Sequence, residues 1–386
     1  MSVLSILSSI SLFMWLYLAL FHGNFWNPPV IKIKKKKISL QPEITVVVPA
    51  RNEERYISRA LTSLLNQSYK GKYRVVAIDD SSTDETLRIM KEISKKDNKI
   101  HPIQGKNLKE GWAGKVWAQH QAMKLVEKKF SKSKYILFTD ADILHSPNNL
   151  NNLVSKAESE NLDLVSLMVL LRAKKIWEKI LMPAFVFFFQ KLYPFQWVNN
   201  PKKKIAAAAG GCMLVKYSKL KKSGGIKKIK GQIIDDCALA KVLKKNGKIW
   251  IGITKKIKSL RNYDKVSEIW SMVTRSAYDQ LGYSVTLLII CIFGMLSAYI
   301  IPTISLYAGL SQENNYLLLT GLIAWLIMSY TYIPTLRNFS EKFFMATFLP
   351  IAGIFYTLAT IDSARMHLWG SGGSWKGRSC KIDKIQ

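Results

Sequence analysis

Ile44-Thr45-Val46-Val47-Val48-Pro49-Ala50-Arg51-Asn52-Glu53 is the stretch that decides the fold. Its first five residues are β-branched without polar alternation. Such a run reads as a strand buried on both faces, which requires a sheet covered by helices. Beyond Asn52 and Glu53, the residues Ile57, Ala60, Leu61, Leu64 and Leu65 recur at helical spacing. The pattern then repeats. Arg74-Val75-Val76-Ala77-Ile78 reads as a second strand closing on Asp79-Asp80, and Ser82-x-x-Glu85 as a capping box opening a helix with Leu87, Met90 and Ile93 on one face. Tyr135-Ile136-Leu137-Phe138 reads as a third strand, closing on Thr139-Asp140-Ala141-Asp142, with Ser146-Pro147 starting the next helix. Strand alternating with helix predicts an α/β, Rossmann-like domain. Its sheet is expected to be mostly parallel, with right-handed crossovers and helices on both faces.

The polar residues fall in a telling order. Asn52/Glu53, Asp79/Asp80 and Asp140/Asp142 all lie at the carboxyl ends of strands, the edge where an open α/β sheet binds ligands. One such aspartate is often only a helix cap, which is the reading for Asp84; three groups at one edge exceed what capping explains. Two carboxylates one residue apart, Asp140 and Asp142, suit a hard divalent ion, Mg2+ or Mn2+, shared with a diphosphate. That ion would neutralise charge on a departing phosphate. Acids at the place of Asp79 and Asp80 accept hydrogen bonds from a ribose or base. Gly111-Trp112-Ala113-Gly114-Lys115 precedes a helix, with Lys115 able to meet a phosphate as a point charge. Farther on, Ile234-Asp235-Asp236-Cys237 offers a general base. A macrodipole-stabilised helix start is compatible with that role, because adjacent like charges raise one pKa. Ala206 to Cys212 is a run of small residues, read either as close ligand approach or as tight packing.

The chain has 386 residues, with 57 Lys and Arg against 26 Asp and Glu, a formal charge of +31. Anionic partners follow from that sign. Only 11 of the basic residues are arginines, and that lysine bias argues against a nucleic-acid reader. Cys212, Cys237, Cys291 and Cys380 form no CxxC pair, against a disulfide framework or structural zinc. The five histidines show no ligand spacing, and no Gly-x-Ser-x-Gly elbow is present.

Val3 to Phe21 is apolar over the length a bilayer requires, and lacks both a positive n-region and a small-residue cleavage site. It is expected to be a retained anchor. The basic run Ile31–Lys37 would hold its following side in the cytoplasm, together with the polar middle of the chain. Val285–Leu310, Tyr316–Leu336 and Phe343–Ile361 are three further apolar stretches. The tail's Arg365, Lys376, Arg378, Lys381 and Lys384 favour the inside, whereas three full spans place the tail outside, so its side stays open. Ile180 to Phe189 is too short to span and reads as interfacial or as a buried core helix.

Val48-Pro49-Ala50-Arg51-Asn52-Glu53, Ile78 to Asp84 and Asp140-Ala141-Asp142 resemble the family 2 glycosyltransferases of the GT-A fold, over about residues 44 to 262. Gly111–Lys115, the aromatic segment Pro183 to Asn199, Ala206–Cys212, Ile234–Cys237 and Trp375-Lys376-Gly377-Arg378 further resemble the hopene-associated subgroup. The resemblance implies a nucleotide-diphospho-sugar donor and inversion at the anomeric carbon. It implies that Pro49, Ala50 and Glu53 line the nucleotide pocket, with Asp79 or Asp80 on the nucleoside and Lys115 near the diphosphate. Asp140 and Asp142 match the metal-binding Asp-x-Asp, with Asp142 the expected direct ligand. Asp236 matches the general base of an acidic pair whose first member is here Asp235 instead of Glu. Processive relatives carry Gln-x-x-Arg-Trp; this chain has Thr274-Arg275-Ser276 in that region, which argues against polymer synthesis and leaves Arg275 as a contact for the leaving diphosphate.

The expected organisation is an anchor at 1–23, a basic juxtamembrane linker at 24–43 and a GT-A domain at 44–262 with an interfacial segment at 176–198. An amphipathic interfacial helix at 263–284, a transmembrane bundle at 285–361 and a basic tail at 362–386 complete it. The expected function is transfer of a sugar to a lipid at the cytoplasmic face of the inner membrane, with a polycyclic hopanoid-type acceptor. Rivals are transfer to a polyprenyl phosphate, a nucleotidyltransferase that releases pyrophosphate, and a non-catalytic membrane scaffold binding nucleotide or anionic lipid.

Overall fold

The computed structural model describes residues 2–31 and 41–369, and the backbone pairing of 374–375 with 378–379. Most of the basic run, from residue 32, and the rest of the tail lie outside the described residues. The chain forms two compact units, 29–172 with 197–262 and 374–386 in one, and 1–28 with 173–196 and 263–373 in the other.

The first unit is built on an eight-stranded sheet. Its strands are β1 (Ile44–Ala50), β2 (Tyr73–Asp79), β3 (Ile100–Gln104), β4 (Tyr135–Phe138), β5 (Ile143–Leu144), β6 (Leu164–Leu170), β7 (Met213–Lys216) and β8 (Ile249–Ser259). The order is β3-β2-β1-β4-β7-β6-β8-β5. The half from β3 to β4 is parallel, as the strand–helix alternation requires. Antiparallel β7 is inserted between β4 and β6, and β8 runs parallel to β6 with β5 antiparallel at its edge. All seven residues of β1 and of β2 are buried, as an uninterrupted apolar run on a doubly covered strand should be. Helix 57–65 lays Ile57, Leu61 and Leu64 onto one face of the sheet, in a core with Val46, Val48 and Val75.

Two local expectations change. The helix after β2 is Thr86–Lys96 and its start carries no capping box. Ser82 instead accepts a hydrogen bond through its Oγ from the Asn52 backbone N–H at 3.0 Å, and Asp84 Oδ1 accepts from the Thr86 N–H at 3.0 Å. A tertiary tie between two strand-end loops thus uses the serine that local pattern assigns to a cap. After β5 the helix is Asn149–Ser159, two residues beyond Pro147, because Pro147 O accepts the Ser68 N–H and belongs to the preceding loop.

The second unit contains four helices long and apolar enough to cross a membrane: Val3–Leu20, Val285–Ser311, Asn315–Phe339 and Phe343–Leu368. Close contacts between them use small residues. A Cβ on Gly309 would lie 2.3 Å from the Leu318 nitrogen, and one on Gly353 2.7 Å from Tyr299 Cβ. The second span contains a π-helical turn, Leu296–Ile300, whose Ala298 carbonyl accepts the indole N–H of buried Trp15 at 2.6 Å. Ser8 and Thr320 hydroxyls meet at 2.7 Å between the first and third helices. Within 176–198, residues Ile176–Leu192 form one continuous helix with Pro183 inside it, and residues 263–284 carry two short helices, Val266–Thr274 and Ala277–Gln280.

Candidate active site

Acidic residues from four separate parts of the chain gather at the carboxyl edge of the sheet. Asp140 and Asp142 follow β4, and Asp235 and Asp236 open helix Asp235–Lys244. Lys115, the second residue of helix Gly114–Lys129, joins two of these groups. Its Nζ lies 2.9 Å from Asp140 Oδ1 and 3.3 Å from Asp235 Oδ1. Burial alone would lower its pKa, but the charges of Asp140, Asp235 and Asp236 carry it above the ordinary lysine value. Lys115 is therefore a fixed cation at the centre of the acids.

Asp236 is held differently from its neighbour. Its Oδ2 accepts the Gly210 backbone N–H at 2.8 Å, and its Oδ1 that of Cys237 at 2.8 Å. Burial and the adjacent Asp235 charge raise its pKa to about 6, against the pull of Lys115 and the two N–H donors. Asp235 turns to Lys115 and to the Gln119 amide, whose Nε2 donates to Oδ2 at 3.1 Å. A Cβ on Gly210 would stand 3.0 Å from Lys115 Nζ and 3.2 Å from Asp236 Oδ2. Within the small-residue run Ala206–Cys212, Gly210 therefore permits close approach of these two side chains, while Gly211 packs tightly against Val169 and Ile143.

Asp142 Oδ2 takes Arg261 Nε at 2.9 Å and the Ser259 hydroxyl at 3.3 Å. The Nη2 of the same guanidinium pairs with Glu53 Oε1 at 2.5 Å. Arg261 thus links the loop after β1 to the loop after β4. The sequence reading missed Arg261 and Gln119. No short motif contains either, and Arg261 lies 208 positions from Glu53.

The nucleotide-side candidates line the same edge. Pro49 and Ala50 end β1 and are buried; Ala50 is in register with Asp79 and its carbonyl accepts the Asp80 N–H at 2.7 Å. Asp79 and Asp80 are both buried. Asp79 Oδ2 accepts the Ser82 N–H at 3.1 Å, while its Oδ1 has no hydrogen-bond partner among the described residues. Arg51 donates through Nη1 to the carbonyls of Asp80 and Ser81, each at 2.6 Å. Asn52 and Ser81 both hold positive φ, 51° and 54°, so the two loops are locked in uncommon backbone states beside the acids. Arg275 belongs to the other unit, directly after helix Val266–Thr274.

Among the described residues no group of three or more His, Cys, Asp or Glu side chains forms a metal cage. The Asp140 side chain is 36% exposed, and that of Asp142 is 9% exposed. This donor set fits Mg2+ or Mn2+, which take one or two carboxylates and complete their shell from phosphates and water. Both carboxylates now face protein cations, so the ion and its diphosphate would exchange for those contacts.

Residues 45–224 match the profile of glycosyl transferase family 2. Over 101 residues the chain is 35% identical to a poly(ribitol-phosphate) beta-glucosyltransferase of Bacillus spizizenii, covering 26% of this chain and 15% of that protein. Over 56 residues it is 43% identical to a dolichyl N-acetyl-alpha-D-glucosaminyl phosphate 3-beta-D-2,3-diacetamido-2,3-dideoxy-beta-D-glucuronosyltransferase of Methanococcus voltae, covering 14% and 17%. The chain spans less than half the length of these curated relatives. A mannosyltransferase from Pyrobaculum calidifontis, solved with GDP-Man and Mn2+, superposes with a TM-score of 0.54 at 16% identity, over 95% of this chain and 98% of that one, a likeness of fold. The curled mixed sheet and the matched segment agree: residues 45–224 resemble glycosyl transferase family 2 and carry a GT-A fold.

Proposed function

We propose that the chain is a membrane-bound, inverting glycosyltransferase that moves a sugar from a nucleotide-diphospho-sugar to the hydroxyl of a lipid. The observation that carries this reading is the Asp236–Lys115–Asp140 constellation at the ligand-binding edge of the sheet. Asp236 is the general base. With a pKa of about 6 it is ionised near neutrality and still basic enough to draw a proton from an acceptor hydroxyl. The Gly210 and Cys237 N–H groups aim its carboxylate, and Asp235 is kept from competing by Lys115 and Gln119. Lys115 sits where a diphosphate would meet a fixed positive charge. Asp140 and Asp142 would hold the divalent ion, which supplies charge neutralisation on the leaving diphosphate. Glu53, Asp79 and Asp80 border the nucleoside.

The four apolar helices support a lipid acceptor, since they keep the enzyme in the phase where such a substrate dissolves. The subgroup resemblance makes a hopanoid-type polycyclic alcohol the first acceptor to try. Purified protein is incubated with a panel of nucleotide-sugars, Mn2+ and lipid extract, and the products are weighed by mass spectrometry. A new glycolipid is expected. Chelation with EDTA should abolish it, and added Mn2+ restore it. Asp236→Asn should abolish transfer while the donor still binds; full activity in that variant rejects Asp236 as the base. Undiminished transfer to a polyprenyl phosphate in the same variant would favour that already anionic acceptor.

A further inference from the structure

The opposite edge of the sheet carries a second charged concavity. A cavity of about 820 Å3 opens at the amino ends of β1, β2, β3 and β4. Glu43 precedes β1, Tyr73 and Arg74 open β2, Lys99 and His101 flank the start of β3, and Lys129, Phe130 and Lys132 precede β4. Lys70 and Lys72 complete its rim. β1 and β2 are seven residues long, so this edge lies ~20 Å from the catalytic acids.

The charge in this cavity is one-sided. Glu43 is its one carboxylate, and that group is already paired with buried Arg74. Lys70, Lys72, Lys99, Lys129 and Lys132 have no ion pair among the described residues. Two cations are seated on ring faces, Arg74 over Phe130 at 4.4 Å and Lys99 over Tyr73 at 5.0 Å, which fixes charge along the wall. His101, 4.9 Å from Phe130, has its pKa lowered by burial and by the charges of Arg74 and Lys129. Five uncompensated ammonium groups around one hollow repel each other, and a multivalent anion removes that repulsion. The volume is that of a small-molecule pocket, and its concavity suits a compact ligand better than a flat surface.

We propose that this cavity is a second binding site, for a small anion bearing two or more phosphate groups, separate from the donor site. Phosphates would be gripped by the rim lysines, with Arg74 as a buried positive base. The chemistry is common to a soluble polyphosphate and to a phospholipid headgroup that carries more than one phosphate.

The test measures binding of tripolyphosphate to the full chain in neutral-lipid nanodiscs, with EDTA present, by calorimetry. Lys72→Glu/Lys99→Glu/Lys129→Glu should weaken binding at least about tenfold. Lys91→Glu/Lys95→Glu/Lys241→Glu makes the same change in net charge at exposed positions elsewhere and should leave affinity within about twofold. The milder Lys72→Gln/Lys99→Gln/Lys129→Gln should lie between, with an unchanged unfolding temperature. Equal losses in the two Glu triples would show a non-specific charge effect and overturn the site. So would absence of binding in the unaltered chain, or loss of binding in Lys115→Met, which would place the probe among the catalytic acids. Dibutyryl phosphatidylinositol bisphosphate, run in parallel, separates the sources. Groove-dependent binding of both probes points to a headgroup, and of tripolyphosphate alone to a soluble ligand; either supports the site. Glycosyl transfer is a separate readout, so failure here leaves the catalytic reading untouched.

Discussion

Asp235 and Asp236 are chemically identical neighbours, and what sets them apart is their partners. Asp235 faces a cation, while Asp236 faces two backbone N–H groups and its neighbour's charge. The pH dependence follows. A base must be unprotonated to act, so kcat/KM should climb with pH through about 6 and level off above it. Asp235→Asn removes a charge that raises the Asp236 pKa, so in that variant the acid limb should move to lower pH; an unmoved limb would show that another group sets it. The same shift has a stability sign. Between the ordinary value of 3.8 and about 6 the folded chain holds this proton more tightly than the unfolded chain, so the group's contribution falls as pH rises through that window. Arg261 makes a second residue-scale case. Arg261→Met leaves Glu53 and Asp142, both buried, without their shared cation. Since Arg261 itself is about a third exposed, the expected loss is about 1–3 kcal/mol, read as a lower unfolding temperature. Glu53→Gln in the same chain should return part of it.

At the scale of elements, β1, β2 and β4 were legible because each is a short apolar run that stops at an acid, and position at a strand end is a local property. The loop lacing between Asn52 and Ser82 was not, since the serine's place in a cap-like spacing is equally local and the tertiary bond outcompetes it. β6, Leu-Val-Ser-Leu-Met-Val-Leu, went unread because a largely apolar run fits strand or buried helix alike and only pairing with distant β7 and β8 decides; β8 went unread because Gly252 and its lysines break the apolar pattern. The antiparallel insertion of β7 has no sequence signature either. Asp140, Asp235, Asp236 and Lys115 were all named from sequence, whereas Arg261 and Gln119 became visible only once the fold brought them to those acids. Helix contacts in the other unit give a sharp test. Gly309→Leu forces a side chain onto the Leu318 backbone, whereas Gly294 has open space around it. In detergent, Gly309→Leu should lower the temperature of unfolding by an amount equivalent to about 1–3 kcal/mol, and Gly294→Ala should hold or raise it. Equal behaviour of the two would reject the close helix pairing.

For the whole molecule, charge and apolar length together argue for one orientation. The segment between the second and third apolar helices, Gln312-Glu313-Asn314, carries no Lys or Arg, whereas the one between the third and fourth contains Lys342 and follows Arg337. Basic residues are retained on the cytoplasmic side, so the first of these loops is expected outside and the second inside. The excess of 57 basic over 26 acidic residues resides largely in the polar middle of the chain, which the proposed transfer requires on the cytoplasmic side, with the nucleotide-sugar pool. Single cysteines placed in a Cys-to-Ser background read this directly. Gln312→Cys should react with a membrane-impermeant maleimide in intact cells. Ser340→Cys and Asn200→Cys should react only after the membrane is opened. Labelling of Asn200→Cys in intact cells would put the catalytic acids on the side away from the cytoplasmic nucleotide pool. No sugar donor would then reach Lys115 and Asp140, and the proposed transfer would fail for want of substrate, however well its residues are arranged.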